Sequence, residues 1–131
     1  MSGPSGLLLD TPVVAEVRSE SPNRAVVEFL RRRSHLRVFV SALTIGELEA
    51  TTPGWLRELS SRFSENILPV DHEVALLWRT LPPPAPEDVR GGVKTWLAAT
   101  AMTRNLTVVS PEPEAFVACG AHAVSPFTEF G

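Results

Sequence analysis

Three carboxylates and a lysine in this chain are spaced so that a folded sheet could bring them together. Asp10 closes the apolar run Leu7-Leu8-Leu9, Glu47 lies in the helical stretch after the β-forming run Arg37–Ser41, and Glu112 comes two residues after Ser110, which ends another such run. Carboxylates gathered around a cleft hold hard divalent cations such as Mg²⁺ or Mn²⁺. Those ions activate a water and stabilise the charge that develops on a phosphodiester. Taken singly, each acid has an ordinary reading: Asp10 as a helix cap, Glu47 as a solvated helix residue, Glu112 as a turn residue. The joint pattern is stronger than any one part. Ser41 and Ser110 end two of the same runs; no base is spaced to make either a nucleophile, so both are read as fixing backbone or carboxylate geometry.

Lys94 adds a second constraint. Lys94, Leu97, Ala98 and Ala101 fall at i, i+3, i+4 and i+7 and share one helix face. Burying an unpaired ammonium in such a stripe is costly. The register therefore predicts carboxylate partners nearby, with Asp10, Glu47 and Glu112 as candidates.

The elements that would position these groups alternate along the chain. Residues 7–10 read as a buried, central, parallel strand, followed by a short helix over 11–18 with Pro12 in its favoured first turn. Ser21 is the expected N-cap of a helix that buries Val26, Val27 and Leu30 and ends near Arg33. Arg37–Ser41 is the second strand, and 42–50 the helix carrying Glu47. Pro53-Gly54 breaks that helix. Another follows over about 55–65, with Trp55, Leu56, Leu59 and Phe63 on one side. Residues 67–70 form a strand whose Pro69 marks an edge or a strand end, and Asp71 caps a helix to Trp78. Residues 81–86 form a stiff proline-rich connector. The Lys94 helix comes next, with Asn105 as its C-cap. Residues 107–110 are a strand, 112–116 a helical turn and His122–Val124 a last strand. This alternation implies an α/β fold of three layers, α/β/α, around a short, mostly parallel central sheet. Ligand sites in such sheets lie beyond the carboxyl ends of the strands, where Asp10, Ser41 and Ser110 stand.

Bulk properties narrow the class. A length of 131 residues fits a single domain over 1–131, and 44% hydrophobic content supports a real core. A net charge of −3 gives no general attraction to nucleic acid; Arg31-Arg32-Arg33 is the densest basic run and reads as a solvated helix end. The single cysteine, Cys119, excludes an internal disulfide, and no Cys/His zinc spacing occurs. The absence of an apolar span or a signal-peptide pattern points to no membrane and a cytoplasmic location. His35, His72 and His122 share no ligating spacing and read as surface or strand-end residues. Trp55, Trp78 and Trp96 read as core or dimer-interface anchors rather than base-stacking platforms.

Four segments, in order and with suitable spacing, resemble the PIN-domain nucleases, and in particular VapC toxins and their FitB-like branch. These are Leu7-Leu8-Leu9-Asp10-Thr11-Pro12-Val13-Val14-Ala15-Glu16, Val40-Ser41-Ala42-Leu43-Thr44-Ile45-Gly46-Glu47-Leu48, Ile67-Leu68-Pro69-Val70-Asp71, and Leu97-Ala98-Ala99-Thr100-Ala101 with Leu106-Thr107-Val108-Val109-Ser110. The resemblance covers almost the whole chain. It implies a PIN-like fold and an endoribonuclease dependent on Mg²⁺ or Mn²⁺. It also implies an RNA substrate, a cognate antitoxin and a homodimer. Asp10 and Glu47 match the first two metal-binding acids, and Glu112 falls at the fourth. Glu16 matches a frequent acid of the first helix, with a role behind the metal ligands or a plain salt bridge. Position 94 matches the third acid, where the family has Asp and this chain has Lys; Pro12 likewise replaces the usual Asn.

Three readings of Lys94 follow. Its ammonium could stand where a metal would, weakening metal binding; two like unit charges ~4 Å apart repel by about 4 kcal/mol at an effective dielectric of roughly 20, and a divalent ion doubles that. It could instead snorkel outward and leave the acids free, with Glu87 or Asp88 supplying the missing ligand. It could also position a water or stabilise charge in an altered hydrolysis. The catalytic and metal-ligating set is then Asp10, Glu47 and Glu112, modulated by Lys94, Ser41, Ser110 and Glu16. The alternative function is an inactive PIN-like module that binds RNA or a protein partner.

Overall fold

The structure is a computed structural model and describes residues 4–51, 54–82 and 91–127. Five strands, β1 (Gly6–Leu9), β2 (Arg37–Ser41), β3 (Ile67–Leu68), β4 (Leu106–Val109) and β5 (His122–Val124), form one sheet in the order β3-β2-β1-β4-β5. All the strand pairings described are parallel, where the sequence pattern required only most of them to be. Both faces of such a sheet must be covered, and the alternation in β1 shows how. Leu7 and Leu9 pack with Val13, Val14, Val26, Phe29 and Ile45 on one face. Leu8 packs with Leu97, Ala98, Ala101 and Phe116 on the other.

Helices α1 (Thr11–Val17), α2 (Arg24–Arg32) and α3 (Ala42–Thr51) supply the first layer. Helices α6 (Gly91–Arg104) and α7 (Pro113–Val117) supply the opposite one. Helix α5 (His72–Trp78) packs on α6 through a stacked Trp78–Trp96 pair, centroids 4.3 Å apart, and an Arg104–Asp71 ion pair of 2.7 Å. Asp71 caps α5 as its position suggested, accepting from the Val74 N–H. Helix α4 (Trp55–Phe63) follows α3. Asn105 closes α6 at a left-handed φ of 58°, and its carbonyl accepts from the Ser5 N–H, which ties the start of β1 to this corner.

Several boundaries differ from the sequence reading. The N-cap of α2 is Asn23, not Ser21: its side chain accepts from the Ala25 N–H, while its own N–H donates to Glu16 Oε2. The buried face of α2 is Val26 and Phe29, with Leu30 beside them; Val27 lies about 100° further round and is exposed. Helix α4 stops at Phe63 because Ser64 takes a positive φ, and a 3-10 turn (Ser64–Asn66) finishes the segment. Strand β3 is an edge strand of only two residues, consistent with Pro69 having no N–H to give the ladder. The side chains of Trp55, Leu56 and Leu59, and most of the proline-rich connector with Glu87 and Asp88, lie outside the described residues.

Gly6 is where the central strand meets its neighbours most closely. A Cβ there would stand 2.8 Å from the Arg37 carbonyl oxygen and 3.2 Å from side-chain atoms of Leu106 and Phe39. Gly6→Ala is expected to cost about 1–3 kcal/mol through forced backbone separation; unchanged stability in urea unfolding would contradict this close approach.

Candidate active site at the carboxyl edge of the sheet

Strand order turns at β1. The chain runs from β1 through β2 to β3 on one side, then restarts at β4 and β5 on the other. A crevice opens at such a switch point, outside the carboxyl ends of the strands. Leu9 pairs with Val109, so the next residues, Asp10 and Ser110, face each other there. Ser41 ends the neighbouring strand on the opposite side of β1.

The geometry links the candidate groups in series. Lys94 Nζ donates to Glu112 Oε1 at 2.7 Å. The Glu112 N–H donates to Ser110 Oγ at 3.0 Å, and that hydroxyl gives its one proton to Asp10 Oδ2 at 2.8 Å. The other oxygen of Asp10 accepts from the Thr11 N–H at 2.8 Å, which also caps α1. Thr11 Oγ1 then donates to Glu47 Oε1 at 2.6 Å. Because Glu47 as a carboxylate can only accept, Thr44 Oγ1, 3.1 Å away, completes the cluster by donating to Thr11. A continuous polar chain thus runs along the sheet edge from α6 to α3.

Each group has a distinct environment. Asp10 is 3% exposed, and Ser110, Ser41 and Thr44 are wholly buried. Glu47 is half-buried beside an open cleft of about 430 Å³ lined by Thr11, Pro12, Ala15, Leu48 and Thr51. The Lys94 side chain is only 19% exposed, whereas that of Glu112 is 68% exposed. The lysine therefore enters the edge along the helix face that its register predicted, with Leu97, Ala98 and Ala101 fully buried below it. It meets Glu112 directly, at 2.7 Å.

Other candidates occupy structural places. Glu16 accepts from the Asn23 N–H at 2.7 Å and so joins α1 to the start of α2. Ser41 Oγ accepts from the Leu43 N–H and starts α3. His35, His72 and His122 are exposed. Within the basic run, Arg31 and Arg32 both bind Glu28, and Arg33 lies 3.7 Å over the Phe29 ring. The Arg31 hydrogen bond leads the effects holding the Glu28 carboxyl below its ordinary range. This run is the solvated helix end that its position suggested. Thr11 and Thr44 had no functional reading in the sequence. The available signal was a hydroxyl directly after the acid and another one turn before Glu47.

The donor set of the described residues does not form a divalent-ion site as it stands. Among the described residues, no three His, Cys, Asp or Glu side chains stand together as a metal-holding group. The Ser110 and Thr11 hydroxyls donate to Asp10 and Glu47, and a primary ammonium is bound to the exposed Glu112.

No protein-family model matches the sequence. The VapC ribonuclease Y4jK of Sinorhizobium fredii (strain NBRC 101917 / NGR234) is 25% identical over 136 residues, covering 92% of this chain and 97% of that one. The structure of FitAcB from Neisseria gonorrhoeae matches with a TM-score of 0.71 and 26% identity, covering 94% of this chain and 99% of that one. FitAB bound to an IR36 DNA fragment matches with a TM-score of 0.74 and 23% identity, over 95% and 98% of the two chains. Strand order and end-to-end coverage make this chain similar in sequence and fold to VapC and FitB proteins.

Proposed function

We propose that this chain is the toxin of a toxin–antitoxin pair, a VapC-like endoribonuclease for RNA phosphodiesters whose Mg²⁺- or Mn²⁺-dependent activity is impaired at Lys94. The fold and the relative named VapC ribonuclease support the toxin and RNA parts of this reading. One observation carries the impairment: the Lys94–Glu112 ion pair of 2.7 Å, at the position where the family's third metal-binding acid belongs. Asp10 and Glu47 are the remaining ligand candidates, with Glu112 available only once the ammonium is displaced.

The proposed partner is a cognate antitoxin that lays an apolar helix on this chain. An apolar hollow of about 180 Å³ supports that assignment; Val14, Val17, Leu30, Val38 and Phe63 line it, with Arg18 and Arg62 beside them. The proposed assembly is a homodimer in the cytoplasm, with the exposed Leu76 and Trp78 of α5 as candidate interface anchors. Among the described residues, no helix is long and apolar enough to cross a membrane. The same ion pair favours a second reading, in which cleavage is lost altogether and the fold serves to bind RNA or a protein partner.

RNA cleavage in Mn²⁺, with and without EDTA, separates these readings. The unmodified chain is expected to cut slowly, and Lys94→Asp to raise the EDTA-sensitive rate on the order of 100-fold. Efficient EDTA-sensitive cleavage by the unmodified chain at micromolar Mn²⁺ would sink the impairment. Folded protein with no cleavage before or after the substitution would favour the binding module.

A further inference from the structure

We propose that Lys94 is a built-in counter-ion, so that the acidic edge of this sheet is organised without any divalent metal, and that this one ammonium is what keeps metal out. The inference rests on the reading of position 94 given above, but it concerns the assembly of the edge rather than RNA chemistry.

Charge accounting along the polar chain carries it. Each carboxylate has a donor supplied by the fold itself. Asp10 receives the Thr11 N–H and the Ser110 hydroxyl, Glu47 receives the Thr11 hydroxyl, and Glu112 receives the Lys94 ammonium. An edge of separate acids needing a metal would have to draw its carboxylates toward one point. Here Asp10 and Glu47 already take donors from Ser110 and Thr11, and those hydroxyls are held in turn by the Glu112 N–H and by Thr44. The ammonium is well placed to fix the outer end of this chain. Its stem rises from a helix whose next turns are fully buried, and its head is mostly shielded. Glu112 begins the five-residue helix α7 without a side-chain cap bond to that helix, so the pair with Lys94 is the contact that anchors its carboxylate to α6. A cation fixed by the chain does not dissociate and cannot be removed by a chelator.

Two consequences separate this arrangement from a weak metal site. The thermal midpoint of the unmodified chain should be the same in EDTA and in Mn²⁺, because ligand-linked stabilisation appears only where the native state binds the ion. Reversing the charge should open the site. Lys94→Asp removes the repulsion and adds a ligand, and is expected to bind Mn²⁺ on the order of 100-fold more tightly than the unmodified chain. The free Mn²⁺ signal in electron paramagnetic resonance reads this directly, with neither RNA nor antitoxin present. Its outcome is therefore independent of whether the chain is a nuclease.

A midpoint that rises with Mn²⁺ and falls with EDTA in the unmodified chain would overturn the proposal. So would a folded Lys94→Asp protein that binds Mn²⁺ no better than its parent. Lys94→Gln covers the case in which the acid prevents folding. It removes the charge and keeps most of the stem, and is expected to gain roughly tenfold in Mn²⁺ affinity; folded Lys94→Gln with unchanged affinity overturns the proposal equally.

Discussion

Phe116→Ala is expected to destabilise the chain by about 3–5 kcal/mol, near the top of the range for a single core truncation. Among the described residues Phe116 is the largest side chain that is fully buried, and it sits among Leu8, Leu97, Ala98 and Val108. Those neighbours come from the central strand β1, from α6 and from β4, so they cannot collapse into the space a ring would leave without moving the sheet. The cavity term is added to the lost transfer energy. For a domain of this size the thermal midpoint should fall by roughly 10–20 °C. The effect should also reach the site, because Phe116 is the buried anchor of α7 and Glu112 stands directly before that helix. Calorimetry on the variant checks the magnitude. A loss under about 1.5 kcal/mol would mean that α7 is not fastened by this ring.

Much of the architecture was legible because hydrophobic period and capping chemistry act locally. The run Leu7-Leu8-Leu9 reads as a buried, central strand, and the structure places its side chains alternately in the two cores. Asp71 and Asn105 announced their helix ends through side-chain chemistry that works whatever surrounds them. Lys94 was legible for a related reason: helix register alone put it over Leu97, Ala98 and Ala101.

What was not legible depended on tertiary choice. Ser21 and Asn23 are both good caps, and the decision went to Asn23 because Glu16, from the preceding helix, takes its N–H. Val26 and Val27 are chemically alike, and only the position of the sheet decides which is buried. The site itself shows the same limit. The sequence brought Asp10, Glu47 and Glu112 to one edge but could not tell what each would bind there. Two hydroxyls that carry no signal by type, those of Thr11 and Ser110, donate to Glu47 and Asp10.

The second large effect is expected at Asp10, which caps α1 and holds the Ser110 hydroxyl. Asp10→Ala removes both of these interactions. The α1 cap is lost, since the Thr11 N–H no longer has its acceptor, at a typical cost of ~1 kcal/mol. The Ser110 hydroxyl, wholly buried, loses the group to which it donates, and a buried donor left unmade costs about 1–3 kcal/mol. The sum is roughly 2–4 kcal/mol. Asp10→Asn should cost less, about 1–2 kcal/mol, because asparagine caps as well as aspartate, while its amide nitrogen can only donate to Ser110 and leaves that hydroxyl's own proton to find another acceptor. Adding Ser110→Ala to Asp10→Ala should recover part of the loss, since it deletes the stranded hydroxyl, although the Glu112 N–H then loses its acceptor. Urea unfolding of the unmodified chain, Asp10→Ala, Ser110→Ala and the double variant measures the coupling as a double-mutant cycle. Strict additivity between positions 10 and 110 would show that the buried hydrogen bond contributes nothing. Equal losses for the alanine and asparagine variants would show that the charge of Asp10, rather than its place in the polar chain, stabilises the edge.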